Sequence, residues 1–120
     1  MKPHIDGTKF GAITVGGKVY DHDILIGLDG EVRKRRKSLS KEIFGTSHTL
    51  SEQEAEYVFA EGAETLVIGT GQFGRVSLSD DARTFFERRG VRVILEATPT
   101  ALETWNEMEG RVIALFHTTC

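Results

Sequence analysis

Three glycines mark the one stretch whose spacing matches a well-defined chemistry. Gly69, Gly71 and Gly74 stand in G-x-G-x-x-G spacing directly after the apolar run Thr65-Leu66-Val67-Ile68. In a dinucleotide site such glycines let the backbone approach a pyrophosphate, and a helix opening inside the loop aims its positive end at the ligand. Glu96, after the next apolar run, stands where a ribose-binding acid would. Here Arg75-Val76-Ser77-Leu78 intervene before Ser79, the first good helix cap. The spacing therefore predicts a tight reversal using positive φ, with no dinucleotide and no cofactor. A coarser alternative remains. The loop and the helix start at Thr98-Pro99-Thr100 would share one sheet edge, where Gly69, Thr70, Gly71, Gln72, Thr98 and Thr100 offer donors to a small anionic metabolite, as a binder or an enzyme would. The same groups could equally serve only as caps and turns.

The other candidates are less complete. Arg33-Lys34-Arg35-Arg36-Lys37 could touch nucleic-acid phosphates or an acidic partner. No stacking aromatic adjoins it in sequence, and a solvated edge strand guarded by charge is the favoured reading. His117 and Cys120 face opposite sides of an extended strand and need a turn to converge. Cys120 as the final residue would carry a carboxylate that disfavours its thiolate, so a structural tail is expected. His4, His22 and His48 show no ligand spacing, and no metal site is expected. Asp21-His22-Asp23 reads as a polar turn.

These groups need elements to hold them. Residues 8 to 28 read as β structure with a two-residue hairpin turn at Gly16-Gly17, and Asp29-Gly30 turns the chain towards a further strand at 31 to 37. Residues 38 to 50 have no period and read as loop. Three helices follow. The first opens on the capping box Ser51-Glu52-Gln53-Glu54 and closes at Gly62. The second is capped by Ser79, with Ala82, Phe85 and Phe86 on its buried stripe, and ends at Gly90. The third starts at Thr98-Pro99, buries Ala101, Leu102, Trp105 and Met108, and ends at Gly110. Asn106 lies off that stripe and is expected to bond a neighbouring loop. Residues 65 to 68, 91 to 95 and 111 to 116 are apolar and β-branched, as strands covered on both faces should be. Strand and helix alternate, which gives an α/β fold in one domain, residues 1–120.

Composition sets outer bounds. With 15 basic and 18 acidic residues there is no global drive towards nucleic acid or an anionic membrane, and nucleic-acid binding is the least favoured reading. No apolar run approaches the ~20 residues of a membrane span. The amino terminus lacks a signal-peptide core, and one cysteine excludes an intrachain disulfide; both point to the cytoplasm.

Several spaced motifs together resemble a family. Val67-Ile68-Gly69-Thr70-Gly71-Gln72-Phe73-Gly74, Leu78-Ser79, Thr98-Pro99-Thr100-Ala101, Trp105-Asn106 and Leu115-Phe116-His117-Thr118-Thr119-Cys120 follow in that order, after Phe10-Gly11 and Asp23-Ile24-Leu25-Ile26. The chain resembles the small-domain family of unknown function that includes the adipogenesis-associated Mth-type domain protein and a mitochondrial complex I assembly factor. The resemblance implies a three-layer α/β fold with a mixed central sheet and an added amino-terminal hairpin region. It implies no secured catalytic activity, and it makes Asp23 a pocket candidate. The expected function is a non-enzymatic domain, a monomer or weak dimer, that works by contacting an unknown protein partner.

Overall fold

A computed structural model describes residues 2–120. The amino-terminal half supplies β1 (Ile5–Lys9), β2 (Ala12–Val15), β3 (Lys18–Tyr20), β4 (Ile24–Ile26), β5 (Val32–Lys34), α1 (Ser38–Phe44) and β6 (Thr49–Leu50). Then come α2 (Glu52–Val58), β7 (Thr65–Thr70), β8 (Ser77–Leu78), α3 (Asp80–Arg88), β9 (Arg92–Glu96), α4 (Thr98–Glu107) and β10 (Val112–His117).

The apolar runs without two-residue alternation form the middle of a mixed sheet ordered β5-β4-β10-β7-β9. β10 and β7 pair in parallel from Val112 opposite Thr65 to His117 opposite Thr70, and β7 pairs in parallel with β9. β4 joins β10 antiparallel and β5 joins β4 antiparallel. Alternate side chains then divide two cores. Leu66, Ile68, Ile113 and Leu115 pack with Phe85 and Phe86 of α3 and with Ala55 and Val58 of α2. Val67, Ala114 and Phe116 pack on the other face with Trp105 of α4 and with Ile5, Ile13 and Val15 of the hairpin region. Burial on both faces is why these strands read as continuous apolar runs. β9 departs from that expectation: it is an edge strand, with Arg92 and Leu95 exposed.

β1, β2 and β3 form a separate antiparallel sheet, and Gly16 and Gly17, at φ 55° and 82°, supply the turn between β2 and β3. Two positive φ values in succession belong to a type I′ hairpin turn, which only glycine and asparagine accommodate readily. Asn106 ties this sheet to α4. Its Oδ1 accepts from the Ile5 amide and its Nδ2 donates to the Ile5 carbonyl, both at 2.9 Å. The expected bond to a loop is therefore a bond to a strand. Asn106→Ala orphans both groups and should cost about 1–3 kcal/mol; urea denaturation measures the loss, and faster exchange of the Ile5 amide locates it.

Among the described residues four helices form, one more than the sequence predicts. The extra one is α1, inside the stretch expected as loop, and Ser40 is its one buried residue. A helix held by a polar contact carries no apolar period. α2 also ends earlier than expected, at Val58, with Gly62 (φ 91°) in the turn beyond it.

Candidate functional site

The parallel strands β7, β9 and β10 end together, and the antiparallel β4 starts at the same edge. In an open α/β sheet this carboxyl edge is where ligands bind. Here it holds a buried ionic cluster. Asp23 precedes β4, Arg35 follows β5, His117 ends β10 and Glu54 reaches in from α2; each is at least 97% buried. Arg35 grips Glu54 with a fork, Nε to Oε2 at 2.6 Å and Nη2 to Oε1 at 3.1 Å. Its Nη1 donates to Asp23 Oδ2 at 2.9 Å and its Nη2 to the Ser47 carbonyl at 2.8 Å. Asp23 Oδ2 also meets His117 Nδ1 at 2.7 Å, while its Oδ1 accepts from the Thr118 amide at 2.9 Å. Ser40 of α1 donates to Glu54 Oε1 at 2.5 Å.

These contacts correct two sequence expectations. The run 33–37 is not wholly solvated: Arg35 turns inward, and Arg33, Lys34, Arg36 and Lys37 stay exposed. Tyr57 of α2 also lies beside Arg33 and Arg36, whose guanidinium carbons sit 5.1 and 5.2 Å from its ring centroid, so an aromatic does adjoin the run. The capping box is half formed. Ser51 accepts from the Glu54 amide, but the Glu54 side chain serves Arg35, and Ser40 Oγ accepts from the Ser51 amide in its place. The stronger charge-assisted bond wins Glu54.

Burial works against the Asp23 charge, yet the His117 and Thr118 hydrogen bonds and the His117 and Arg35 charges hold its carboxyl well below the usual range. Burial also opposes the Arg35 charge, and Glu54 and Asp23 more than offset it. His48 is lowered, chiefly by burial and then by His117, Arg75 and Arg35, with Asp23 opposing; its ring meets that of His117 edge-on at 5.5 Å. Both shifts favour the fold at neutral pH. The His48 contribution is complete above about pH 6.5 and falls away below it, and that of Asp23 is complete above about pH 4 and is lost as pH falls further. Urea titrations should show stability declining in two stages on acidification, with His48→Gln removing the upper stage and leaving the lower.

The glycine loop reverses without a helix, as the spacing predicts: α3 begins at Asp80, capped by the Ser79 hydroxyl accepting from Ala82. Its donors are engaged by the chain itself. The Gly71 amide donates to Thr98 Oγ1 at 2.9 Å, and Thr98 Oγ1 donates to the His117 carbonyl at 2.6 Å. The Gln72 amide donates to the Thr119 carbonyl at 2.6 Å, and those of Phe73 and Arg75 to the Cys120 main-chain oxygen at 3.2 Å. A Cβ on Gly71 would lie 2.4 Å from the Cys120 main-chain carbon C and 2.7 Å from His117 Cδ2; on Gly69 it would lie 2.6 Å from Phe116. The glycines thus make room for residues 116 to 120. Thr70 is buried at the end of β7, and its carbonyl accepts from Val76. Thr100 is exposed on the first turn of α4, outside this bonded set, and Glu96 is tied to Thr104 at 2.5 Å.

Asp23, His117 and Thr119 fall in the order of a carboxylate–imidazole–hydroxyl relay, with Thr119 Oγ1 3.2 Å from His117 Nε2. The loop amides that would stabilise an oxyanion beside it are the ones donating to Thr119 and Cys120. Sequence reasoning missed His117, Arg35 and Glu54 as one group because they lie 94, 12 and 19 positions from their partners.

Fold and site together define a mixed α/β domain whose strand ends close over an internal ionic cluster. The chain belongs to a family described as protein of unknown function (DUF498/DUF598), whose model matches residues 5–117. It is similar to the crystal structure of conserved hypothetical protein PH1505 from Pyrococcus horikoshii OT3, at 36% identity and a TM-score of 0.88 over 100% of both chains. It is also similar to MT938, at 32% identity and a TM-score of 0.82 over 99% of this chain and 100% of that one. An Mth938-like domain from Bordetella pertussis shares the fold at 19% identity and a TM-score of 0.65, over 97% of this chain and 85% of that one. No curated protein matches the chain.

Proposed function

We propose that this is a cytoplasmic, non-enzymatic domain that acts by contacting another protein, in an assembly or adaptor role. One observation carries the reading: the polar groups at the carboxyl edge are spent on one another. Asp23, Arg35, Glu54 and His117 form a closed set, and the glycine-loop amides hold residues 119 and 120. Among the described residues every buried side-chain nitrogen or oxygen has a hydrogen-bond partner. Such a network specifies and stiffens a scaffold. The Phe10 and Phe73 rings lie 6.1 Å apart and both residues are more than half exposed at this end, apolar surface suited to a contact. Native mass spectrometry of the protein purified from its own host is expected to give the chain in complex with a second polypeptide. A stoichiometric small-molecule adduct overturns the reading.

A further inference from the structure

We propose that the free edge of β5 is a docking strand for an extended acidic segment of a partner protein, which joins the central sheet as a sixth strand. The inference rests on the contact reading and names the chemistry of a partner.

The backbone is poised for it. The Arg35 amide donates to the Asp23 carbonyl at 3.0 Å and the Gly27 amide to the Glu31 carbonyl at 3.1 Å. The Glu31 carbonyl and the Arg35 amide thus face the β4 side, while the Glu31 amide donates to Asp29 Oδ1. In an antiparallel ladder Arg33 between them faces β4 as well, and the intervening Val32 and Lys34 turn their polar backbone groups outward. β5 ends the strand order, so those groups face away from the sheet.

Charge selects the occupant. Residues 31 to 41 hold six of the 15 basic side chains and one of the 18 acidic ones, so the remaining chain is strongly acidic. Arg35 is neutralised inside, and Arg33, Lys34, Arg36, Lys37 and Lys41 remain exposed around the edge. Tyr57 seats Arg33 and Arg36, which reduces the entropy they lose on gripping carboxylates. Lysine on an edge strand blocks pairing with another copy of the same edge, because like charges would face each other. The same cations favour an acidic strand. The opposite edge, β9, mixes Arg92 with Glu96 and makes no such selection.

The test titrates the whole chain with a fluorescent peptide of alternating Glu and Thr, beside its Lys–Thr counterpart and a uridine oligomer, at ~50 mM salt, where surface charge is least screened. The Glu–Thr peptide is expected to bind, with slowed hydrogen exchange at the Val32 and Lys34 amides. Lys34→Ala removes the charge and keeps the outward amide, whereas Lys34→Pro removes both without touching the β4 ladder. The proline variant should bind about tenfold more weakly than the alanine variant, the worth of one hydrogen bond. If Lys34→Pro does not fold, the exchange measurement on the native chain decides alone. Equal binding of the Lys–Thr peptide, unchanged exchange of the two amides at saturation, or binding of the uridine oligomer alone overturns the proposal. A polypeptide retained in native mass spectrometry alongside a negative titration sinks this surface and leaves the contact reading standing.

Discussion

Arg35→Met is expected to destabilise the fold by about 3–5 kcal/mol, because it leaves two buried carboxyl groups without their shared cation. For a domain of this size that corresponds to a melting temperature roughly 10–20 °C lower. Arg35 makes four hydrogen bonds from a side chain with no solvent exposure, to Glu54, Asp23 and the Ser47 carbonyl. Lysine cannot reproduce that fork, so Arg35→Lys should rescue little. Replacing Arg35 and Glu54 together by methionine removes the charge and its main counter-charge at once, and should recover a large part of the loss. Thermal melts of the two single variants and the double variant measure the coupling. Additive losses would mean that the fork contributes nothing as a unit.

The second large effect is expected at Gly71. Its φ of 107° is a conformation that L-residues avoid, and an added Cβ would press on the Cys120 main chain and the His117 ring. Strain and overpacking together should cost about 3 kcal/mol or more in Gly71→Ala. Gly74 is the control. It also has positive φ, 70°, but the nearest atom to its added Cβ is Thr70 Oγ1 at 3.6 Å, so Gly74→Ala should cost only about 1 kcal/mol. Urea midpoints for the two variants test the difference, and equal losses would show that residues 116 to 120 do not pack on Gly71.

What the sequence makes legible is whatever is enforced locally. The caps at Ser51 and Ser79 depend on residues within one helical turn, and both form. The apolar runs of β7 and β10 owe their composition to burial on both faces, which needs no knowledge of the neighbour. The delayed start of α3 follows from the four residues between Gly74 and Ser79. The ionic cluster is different. Arg35 looks like its four exposed neighbours in the basic run, Glu54 looks like half of a capping box, and His117 looks like the end of a strand. Their meeting is set by the strand order β5-β4-β10, which no local period encodes. α1 escapes for a related reason: Ser40, its one buried residue, is there for its hydroxyl on Glu54.

If the carboxyl edge is closed by the chain's own residues, amide NMR at Gly71, Gln72, Phe73 and Arg75 will show it. In the free protein these four amides should resist hydrogen exchange, and neither inorganic phosphate nor NAD nor NADP at millimolar concentration should shift them. Rapid exchange in the free protein, with saturable shifts on adding any of the three, would show instead that the edge is open and the glycine loop is a ligand site.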